Sequence, residues 1–185
     1  MRKLFIFAFL LLSIYSQSQT YVKVNALTTL LTIPNVGIET SIGKKSTFQF
    51  DALASFWSSI EGVPREFYTF TPEYRYHFHE KYNGFYVGGH IGGSIFKIQK
   101  WSNGYIDSDY YEKGFGYFIG ATVGYQKKIN YRLMLDFFLG GGSHQGFYKG
   151  YYLSTGERYD SAEGYNKSGE WIPYRGGVMV SYRIN

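Results

Sequence analysis

The feature that most constrains the fold is the strict alternation between Phe67 and His79. Every second side chain from Tyr68 to Phe78 is aromatic except Pro72, whereas the positions between them carry Thr, Glu, Arg and His. Side chains that alternate with a period of two lie on opposite faces of a β-strand. The segment therefore predicts a strand with one aromatic and one polar face. A soluble sheet would bury the aromatic face, whereas a membrane barrel would turn it to lipid and keep the polar face in its lumen.

The same alternation recurs along the chain, first over Tyr21–Leu31, and predicts about eight strands of about ten residues each. Short turns and longer loops alternate between them, the turns near Gly43, Glu80 and Gln126 and the loops over Ser58–Arg65, Ser102–Glu112 and Phe147–Glu170. A short turn at Thr32 is the exception among the longer set. Such one-sided asymmetry is typical of outer-membrane barrels, and no segment has the helical period. The predicted fold is an all-β, eight-stranded antiparallel up-and-down transmembrane β-barrel.

The polar faces of the predicted strands carry charges of both signs. A lipid-facing charge costs about 2–4 kcal/mol near the bilayer middle, whereas a polar lumen can pair such groups. We therefore predict a lumenal polar network of Glu39, Asp51, Glu73, Arg75, His77, His90, Arg132, Asp136 and Arg175. Glycines on the same face, such as Gly88 and Gly124, indicate a narrow interior that this network plugs. Pro72 removes a ladder hydrogen bond, so we expect a bulge or a local break there.

Aromatic residues make up 21% of the chain, mostly Tyr and Phe, which suit strands and the boundary between oil and water. Trp57, Trp101 and Trp171 fall near the ends of long loops, where we expect an interfacial girdle. A platform on which a ligand stacks is the alternative for these aromatics. The chain lacks Cys, which excludes disulfides, thiolate zinc sites and Cys nucleophiles. Its net charge of +5 does not cluster, so no nucleic-acid partner is expected.

The N-terminal segment has the pattern of a secretory signal peptide. Arg2 and Lys3 precede an apolar run over Leu4–Ile14, and small residues follow at Ser16–Ser18. The run is too short to span a bilayer as a helix, which takes roughly 20 residues. We predict a signal peptide over residues 1–18 and a single β-barrel domain over 19–185. Removal of the segment would lower the net charge from +5 to +3.

Two polar clusters outside the predicted plug bear on catalysis or metal binding. Ser143-His144 has the residue types of a nucleophile and its base, but the sequence offers no third orienting carboxylate. Asp107-Ser108-Asp109 with Glu112 lacks the Gly and the distal Glu of an EF-hand. The charged strand face itself could form an acid/base site, although a salt-bridge network that fills the barrel is the simpler interpretation. We therefore expect no catalytic residue, no metal and no cofactor.

Several short motifs carry a resemblance to a known family. They are Pro34-Asn35-Val36-Gly37-Ile38-Glu39, Phe48-Gln49-Phe50-Asp51, Pro72-Glu73-Tyr74-Arg75-Tyr76 and Asn83-Gly84-Phe85. With them the chain resembles a family of small secreted β-barrels of Gram-negative bacteria, of OmpA- and OmpX-like size, that is catalogued as a domain of unknown function. The resemblance is best from about Lys23 to Gly93. It implies an outer-membrane-type barrel and brings no catalytic residues with it.

The function that these observations favour is that of a non-enzymatic outer-membrane barrel with a plugged polar lumen. Its role would be structural or would lie in interactions of its external loops. The expected partners are membrane lipids and an extracellular or envelope partner at the long loops. An envelope lipid-modifying enzyme, suggested by His144 and the buried carboxylates, and a narrow pore are the alternatives.

Overall fold

In the computed structural model, residues 19–60, 62–99, 109–159 and 163–185 are described, and their strands form one closed barrel. The elements are β1 (Thr20–Asn25), α1 (Ala26–Leu30), β2 (Asn35–Ser41), β3 (Ser46–Ile60), β4 (Val63–His77), β5 (Gly84–Ile98), β6 (Tyr110–Lys128), β7 (Leu133–Tyr152) and β8 (Asn166–Arg183). Within these residues no helix is long and apolar enough to cross a membrane. The predicted signal peptide lies outside the described residues.

Each strand pairs antiparallel with its neighbours in the sequence, and β1 pairs with β8 to close the ring. Val22, for example, lies opposite Ile38 on one side and Tyr182 on the other. The prediction of an all-β chain with eight antiparallel strands is confirmed. The alternation in β4 is confirmed as well, because Arg75 and its inward neighbours are buried, whereas Tyr74 and the other large aromatics alternating with them are wholly or partly exposed.

The barrel has two unlike ends. The turn end carries the connections 42–45, 78–83 and 129–132 together with the described chain termini. The loop end carries 26–34 and the strand ends that flank the connections between β3 and β4, between β5 and β6, and between β7 and β8. The predicted loop over Ser58–Arg65 is wrong, because β3 and β4 continue through this polar stretch: Trp57 lies opposite Arg65 and, after a register shift, Ile60 lies opposite Val63. Gly62, at a φ of +83°, allows the tight connection that remains.

The first strand is shorter than the alternation suggested. It ends at Asn25, and Ala26–Leu30 forms one helical turn instead of continuing to Leu31. The hydroxyl of Thr29 donates to the Asn25 carbonyl at 2.7 Å, and the Asn25 side chain donates to the Asn35 amide oxygen inside the barrel. Ala and Leu favour a helix, so a short run of alternating residues is compatible with both structures.

Strands β6, β7 and β8 are far longer than β1 and β2 and extend the barrel wall at the loop end; we call this part the extended wall. The predicted loop over Phe147–Glu170 is therefore too long, since β7 reaches Tyr152 and β8 begins at Asn166. Cross-strand aromatic pairs stabilise the extension. Phe115 stacks on Phe147 with ring centroids 5.5 Å apart, and Tyr111 stacks on Tyr151 at 5.3 Å.

Pro72 in β4 and Pro173 in β8 differ in their effect on the strand pairing. Pro72 pairs with Phe50 in β3 without a register shift, so no bulge forms there. The ladder to β5 is interrupted beside it, in agreement with the predicted local break. The bulge lies in β8 instead, where Tyr174 is left out of the register next to Pro173.

Candidate functional site in the barrel lumen

The turn end of the lumen is closed by a side chain from a turn. Tyr82 lies in the 78–83 connection at a φ of 65°, which is rare for a bulky residue, and is completely buried. Its ring packs on Tyr21 with centroids 4.7 Å apart, and its hydroxyl donates to the Gln19 carbonyl. Burial raises the pKa of the Tyr82 phenol well above its ordinary range. The uncharged side chain of Tyr82 therefore closes the turn end of the barrel.

Above Tyr82 lies a layer of fully buried charges, which we call the charged plug: Lys23, Glu39, Glu73, Arg75 and Asp136. Lys23 Nζ donates to Asp136 Oδ2 at 2.5 Å, to Glu39 Oε2 at 2.6 Å and to Gln49 Oε1 at 2.6 Å. One ammonium on β1 therefore joins β2, β3 and β7. All three of its donors are engaged, as a buried ammonium requires.

Arg75 is the second cation of the charged plug. Its Nη1 donates to Asp136 Oδ2 at 2.7 Å and to Glu39 Oε2 at 3.2 Å, and its Nη2 donates to Glu73 Oε2 at 2.9 Å. The guanidinium also lies 4.5 Å from the centre of the Tyr86 ring. Removal of one partner from such a buried network leaves an uncompensated charge, which makes the network strongly dependent on each member.

Two glycines provide the room that the charged plug occupies. A Cβ at Gly88 would collide with the Glu73 carboxylate, and a Cβ at Gly124 would lie 2.5 Å from Tyr86 Cζ. Tyr86 is buried, and its hydroxyl donates to Asp136 Oδ1 at 2.9 Å. A larger residue at either position would displace a member or neighbour of the network, so these glycines set the packing of the narrow interior.

An ion pair marks the upper limit of the charged plug. Arg175 Nη2 donates to Asp51 Oδ2 at 2.6 Å, and its Nη1 lies 3.1 Å from Glu73 Oε2. The Asn35 amide donates to Asp51 Oδ1 at 3.3 Å, and the Gln49 amide donates to Asp51 Oδ2 at 2.9 Å. In the charged plug and the ion pair above it, three cations therefore meet four carboxylates.

The lumen changes character above Arg175. A cavity of about 310 Å³ occupies the loop-end half, and Arg175 and Asp51 contribute to its lining. Most of its wall is apolar and comes from Leu53, Phe67, Phe96, Ile98, Phe118, Phe138 and Ile172. We call this space the lumenal cup. Its volume is near the lower limit of the range of about 300–1,000 Å³ for ligand pockets.

The bulge in β8 places a polar group in the wall of the lumenal cup. Because Tyr174 is out of register, both Tyr174 and Arg175 face the lumen, although alternation alone predicted Tyr174 on the outer face. The Tyr174 hydroxyl is 2.6 Å from His90 Nε2, and His90 Nδ1 is 3.0 Å from the Thr122 hydroxyl. His90 is thus held between two hydroxyls above the charged plug.

His144 also lies in the wall of the lumenal cup, but its partner is not the neighbour that the sequence suggested. Its Nε2 is 2.9 Å from the Ser94 hydroxyl, and Glu170 lies directly opposite it on β8. Ser94, His144 and Glu170 all line the cup. Ser143 alternates with His144 along β7, so its side chain points to the other face and cannot pair with the imidazole.

The predicted lumenal residues lie inside the barrel with one exception. Glu39, Glu73, Arg75 and Asp136 belong to the charged plug, Asp51 and Arg175 lie above it, and His77 and His90 lie below and above it. The assignment of Arg132 to the lumen is wrong. It lies in the turn before β7, is exposed, and donates to the Tyr182 hydroxyl at 2.9 Å. The prediction failed because the alternation of inward and outward side chains applies only within a strand.

The predicted interfacial tryptophans occupy different settings. Trp171 is 84% exposed on the outside of β8 near the loop end. Trp57 is half-buried and donates from Nε1 to the Thr32 hydroxyl at 2.6 Å. Trp101 lies outside the described residues, as do Asp107 and Ser108. Across the described segments, no group of three or more His, Asp or Glu side chains is placed to hold a metal ion.

Several residues of the site were not part of the predicted lumenal network, although alternation places Lys23 on the same polar face. Lys23, Gln49 and Gln126 belong to the charged plug or bond to it, and Ser94 pairs with His144. Lys23, Gln49 and Ser94 lie at inward positions of predicted strands, so their periodicity carried the signal. Gln126 lies where a short turn was predicted, because β6 continues to Lys128. What the periodicity lacks is the register between distant strands, which decides that Lys23 meets Asp136.

With this geometry in place, the chain can be compared with known proteins. Its sequence matches the model of a family described as protein of unknown function (DUF3575) over residues 3–184. The chain belongs to this family. Membership of the DUF3575 family confirms the resemblance to a domain of unknown function. No curated protein and no solved structure matches the chain.

Proposed function

We propose that this DUF3575 member is an outer-membrane β-barrel whose lumen is closed to solutes and which interacts through its loop end. The observation that carries the proposal is an inverted distribution of polarity. Charged side chains fill the interior, whereas large apolar side chains cover the exterior. A soluble domain of this size would bury such apolar surface, since a large exposed patch marks an interaction with a partner or a membrane.

The exterior apolar belt runs around the whole ring. Each strand contributes at least one large exposed apolar side chain to it: Val24, Ile38, Phe50, Phe70, Ile91, Ile119, Leu139 and Val180, in strand order. Because the belt is continuous across the β1–β8 closure, it fits a lipid environment better than it fits a protein partner on one face.

Aromatic side chains flank this belt toward both ends. The exposed aromatics at the turn end include Tyr74, Tyr76, Phe85, Tyr125, Tyr131 and Tyr182, and those toward the loop end include Phe115, Tyr117 and Trp171. Such girdles are typical of membrane barrels, where amphipathic rings lie at the headgroup level. Arg132 fits this position as well, since it lies 5.1 Å from the Tyr131 ring centre at the turn end.

The charged plug and Tyr82 support a closed lumen and not a pore. Arg75, Lys23, Tyr82 and Met134 are fully buried across the turn-end half of the barrel. Small barrels of eight strands have interiors just wide enough to be filled by side chains. The extended wall then provides the surface for a partner, because its aromatic strands project beyond the short β1 and β2.

Fractionation combined with surface proteolysis tests the proposed location and orientation. The 153–159 segment at the loop end is exposed and contains Arg158, whereas Lys44 and Lys45 are exposed at the turn end. We expect the chain in the outer-membrane fraction, with trypsin cutting after Arg158 on intact cells and after Lys44 or Lys45 only in broken cells. Recovery with the soluble periplasmic proteins would overturn the proposal, and a periplasmic enzyme that stays uncut is the control for intact cells.

A second candidate function is hydrolysis of an ester. The observation that favours it is the 2.9 Å contact between Ser94 and His144 Nε2, with Glu170 opposite the histidine in the wall of an apolar cup. An activated serine needs such a base within hydrogen-bond reach. Fluorophosphonate labelling decides the matter: a label on Ser94 that His144→Gln abolishes would support it, and an unlabelled folded protein would exclude it.

A further inference from the structure

We propose that the lumenal cup is a binding site for a small, mostly apolar molecule that ends in an uncharged hydrogen-bond acceptor. The proposal does not depend on the membrane location of the barrel. It rests on three properties of the cup: its apolar wall, its single polar floor and the charges around that floor. Each restricts the class of molecule that fits.

The wall decides the body of the ligand. Aromatic and aliphatic side chains from β3 to β8 surround the space, among them Phe67, Phe96, Phe118 and Ile172. Two polar groups of the wall are engaged by a neighbouring side chain, Ser94 by His144 and Tyr174 by His90. Thr69, Thr71, Ser168 and Glu170 also contribute to the lining, which is mainly apolar. A molecule in the cup would therefore contact mainly hydrocarbon, and burial of its apolar surface would drive binding.

The polar floor of the lumenal cup restricts the end group of the ligand. The Arg175 side chain is only 8% exposed and contributes to the lining of the cup. Its Nη2 is engaged with Asp51, but its Nε and Nη1 make no hydrogen bond. Nη1 does lie 3.1 Å from Glu73 Oε2, a distance that gives electrostatic attraction without hydrogen-bond geometry. Nε is thus a buried donor without an acceptor, which is unusual in a native fold and calls for an oxygen from elsewhere.

The surrounding charges favour a neutral acceptor. Arg175 is already paired with Asp51 and Glu73, and Glu170 adds another carboxylate to the lining of the cup. A carboxylate or phosphate would add a further negative charge in a region of low dielectric. An amine would offer N–H donors to Arg175 Nε, which is itself a donor. A carbonyl, ester or hydroxyl oxygen satisfies Nε without either cost.

A probe series tests the class of ligand. Purified folded protein is held in amphipol, so that no detergent competes, and is titrated with 1-octanol, octanoate and octylamine by displacement of an uncharged fluorescent naphthylamine. We expect octanol to bind at least about tenfold more tightly than either charged analogue, since each tenfold is 1.4 kcal/mol. Tightest binding by octanoate or by octylamine would overturn the assignment of an uncharged end group.

Two neighbouring substitutions test the site. Thr69 lines the cup and Phe70 points outward from the same strand, so Thr69→Trp fills the cup while Phe70→Trp leaves it open. We expect Thr69→Trp to weaken octanol binding at least tenfold and Phe70→Trp to leave it unchanged. Equal binding by both variants would place the probe elsewhere and overturn the proposal. The gel mobility of unheated samples checks that both fold, and Arg175→Lys, which lacks Nε–H, should lose the preference for octanol.

A separate observation carries a second inference, which rests on the proposed membrane location. Lys97, Lys113 and Lys149 lie opposite one another on β5, β6 and β7, on the face turned away from the lumen. Like charges directly opposite each other destabilise a sheet. Only Lys97 has an acidic partner within 4 Å in the described chain, Glu66 at 3.7 Å. The row lies at the loop end, just above the exposed Phe115 and Tyr117. We infer that it binds the phosphates of outer-leaflet lipid.

Lipid phosphorylation and a matched lysine test this inference. Native mass spectrometry of the refolded protein compares bound bisphosphorylated and dephosphorylated lipid A. We expect Lys113→Gln to reduce binding of the bisphosphorylated form about fivefold, because one lysine near a charged surface is worth about 1 kcal/mol. Lys127→Gln, on the same strand but at the turn end, should have no effect. Equal binding of both lipids, or equal effects of both variants, would overturn the inference while leaving the barrel's location to the fractionation experiment.

Discussion

The two halves of the lumen are enclosed by the same sheet but filled in opposite ways. In the turn-end half, Lys23 and Arg75 meet three carboxylates with no exposed surface, and Tyr82 closes the mouth. In the loop-end half, phenyl and aliphatic groups surround an open space of about 310 Å³. Ion pairs fill the turn-end half, whereas apolar side chains line a cavity in the loop-end half. The same ring can therefore be a seal at one end and a receptor at the other.

The largest expected difference between the halves concerns conduction. The native barrel should be silent in planar bilayers, because the charged plug fills its cross-section. Lys23→Ala combined with Asp136→Ala removes one cation and one carboxylate, so the net charge is unchanged while the seal is opened. We expect stable conductance steps from this variant. The same number of truncations in the lumenal cup, Ser94→Ala with Thr69→Ala, should stay silent, and conduction by that control would contradict the division into halves.

Introducing Met at one position in each half compares how much the two halves contribute to stability. Arg75→Met removes the cation that Glu39, Glu73 and Asp136 share, so that Lys23 and Arg175 alone face these carboxylates. We expect a loss of about 3–5 kcal/mol in the free energy of unfolding. Thr69→Met, on the same face of β4 but in the lumenal cup, should change it by about 1 kcal/mol or less. Urea unfolding followed by the heat-dependent gel shift measures both. Similar losses would mean that the halves are not distinct.

The glycines of the charged plug offer a smaller test. Gly124→Ala places a Cβ 2.5 Å from Tyr86 Cζ and should cost about 1–3 kcal/mol by overpacking. Gly89→Ala on the neighbouring strand points outward, and no heavy atom lies within 4 Å of its new Cβ. The control should therefore be neutral or slightly stabilising in the same urea experiment. A tolerated Gly124→Ala would show that the plug can relax.

The smallest single effect is expected at Thr69, and its sign is opposite to that of the matching substitution in the charged half. Thr69→Leu adds apolar volume to the open cup and should stabilise the fold by about 0.5 kcal/mol or more. Thr47→Leu removes a buried hydroxyl that donates to Glu39 at 2.6 Å, and should destabilise it by about 1–3 kcal/mol. Thermal unfolding of the two variants gives the comparison. A destabilising Thr69→Leu would indicate that the cup is more rigid than its apolar wall suggests.

The features that can be predicted from the sequence are those that depend on the two-residue period of a strand. Alternation assigns Glu73, Arg75 and His77 to one face because that rule needs only neighbours in the chain. It predicts the ring of strands and the charged interior. It fails at Tyr174, since one extra residue beside Pro173 reverses the parity of everything before it in β8.

Other features depend on register between strands that are distant in the sequence. The pairing of His144 with Ser94 joins β7 to β5 across the lumen, so the neighbouring Ser143 was a misleading candidate. Tyr82 belongs to a turn, where the period of a strand does not apply. Apart from the size of its side chain, nothing in the local sequence indicates that it closes the barrel. The helical turn at Ala26–Leu30 competes with a strand over too few residues for periodicity to decide.

The position of Lys23 on the strand that closes the ring has a consequence for assembly. Its ammonium bonds to Glu39 and Asp136, which lie on β2 and on β7 next to the closing strand β8. In a sheet that is not yet closed, Lys23 can reach Glu39 on the neighbouring β2, whereas Asp136 near the opposite edge lacks this partner. Pairing of β1 with β8 brings Lys23 to Asp136. Closure of the ring therefore completes the charged plug, and the ion pair stabilises the closed sheet over the open one.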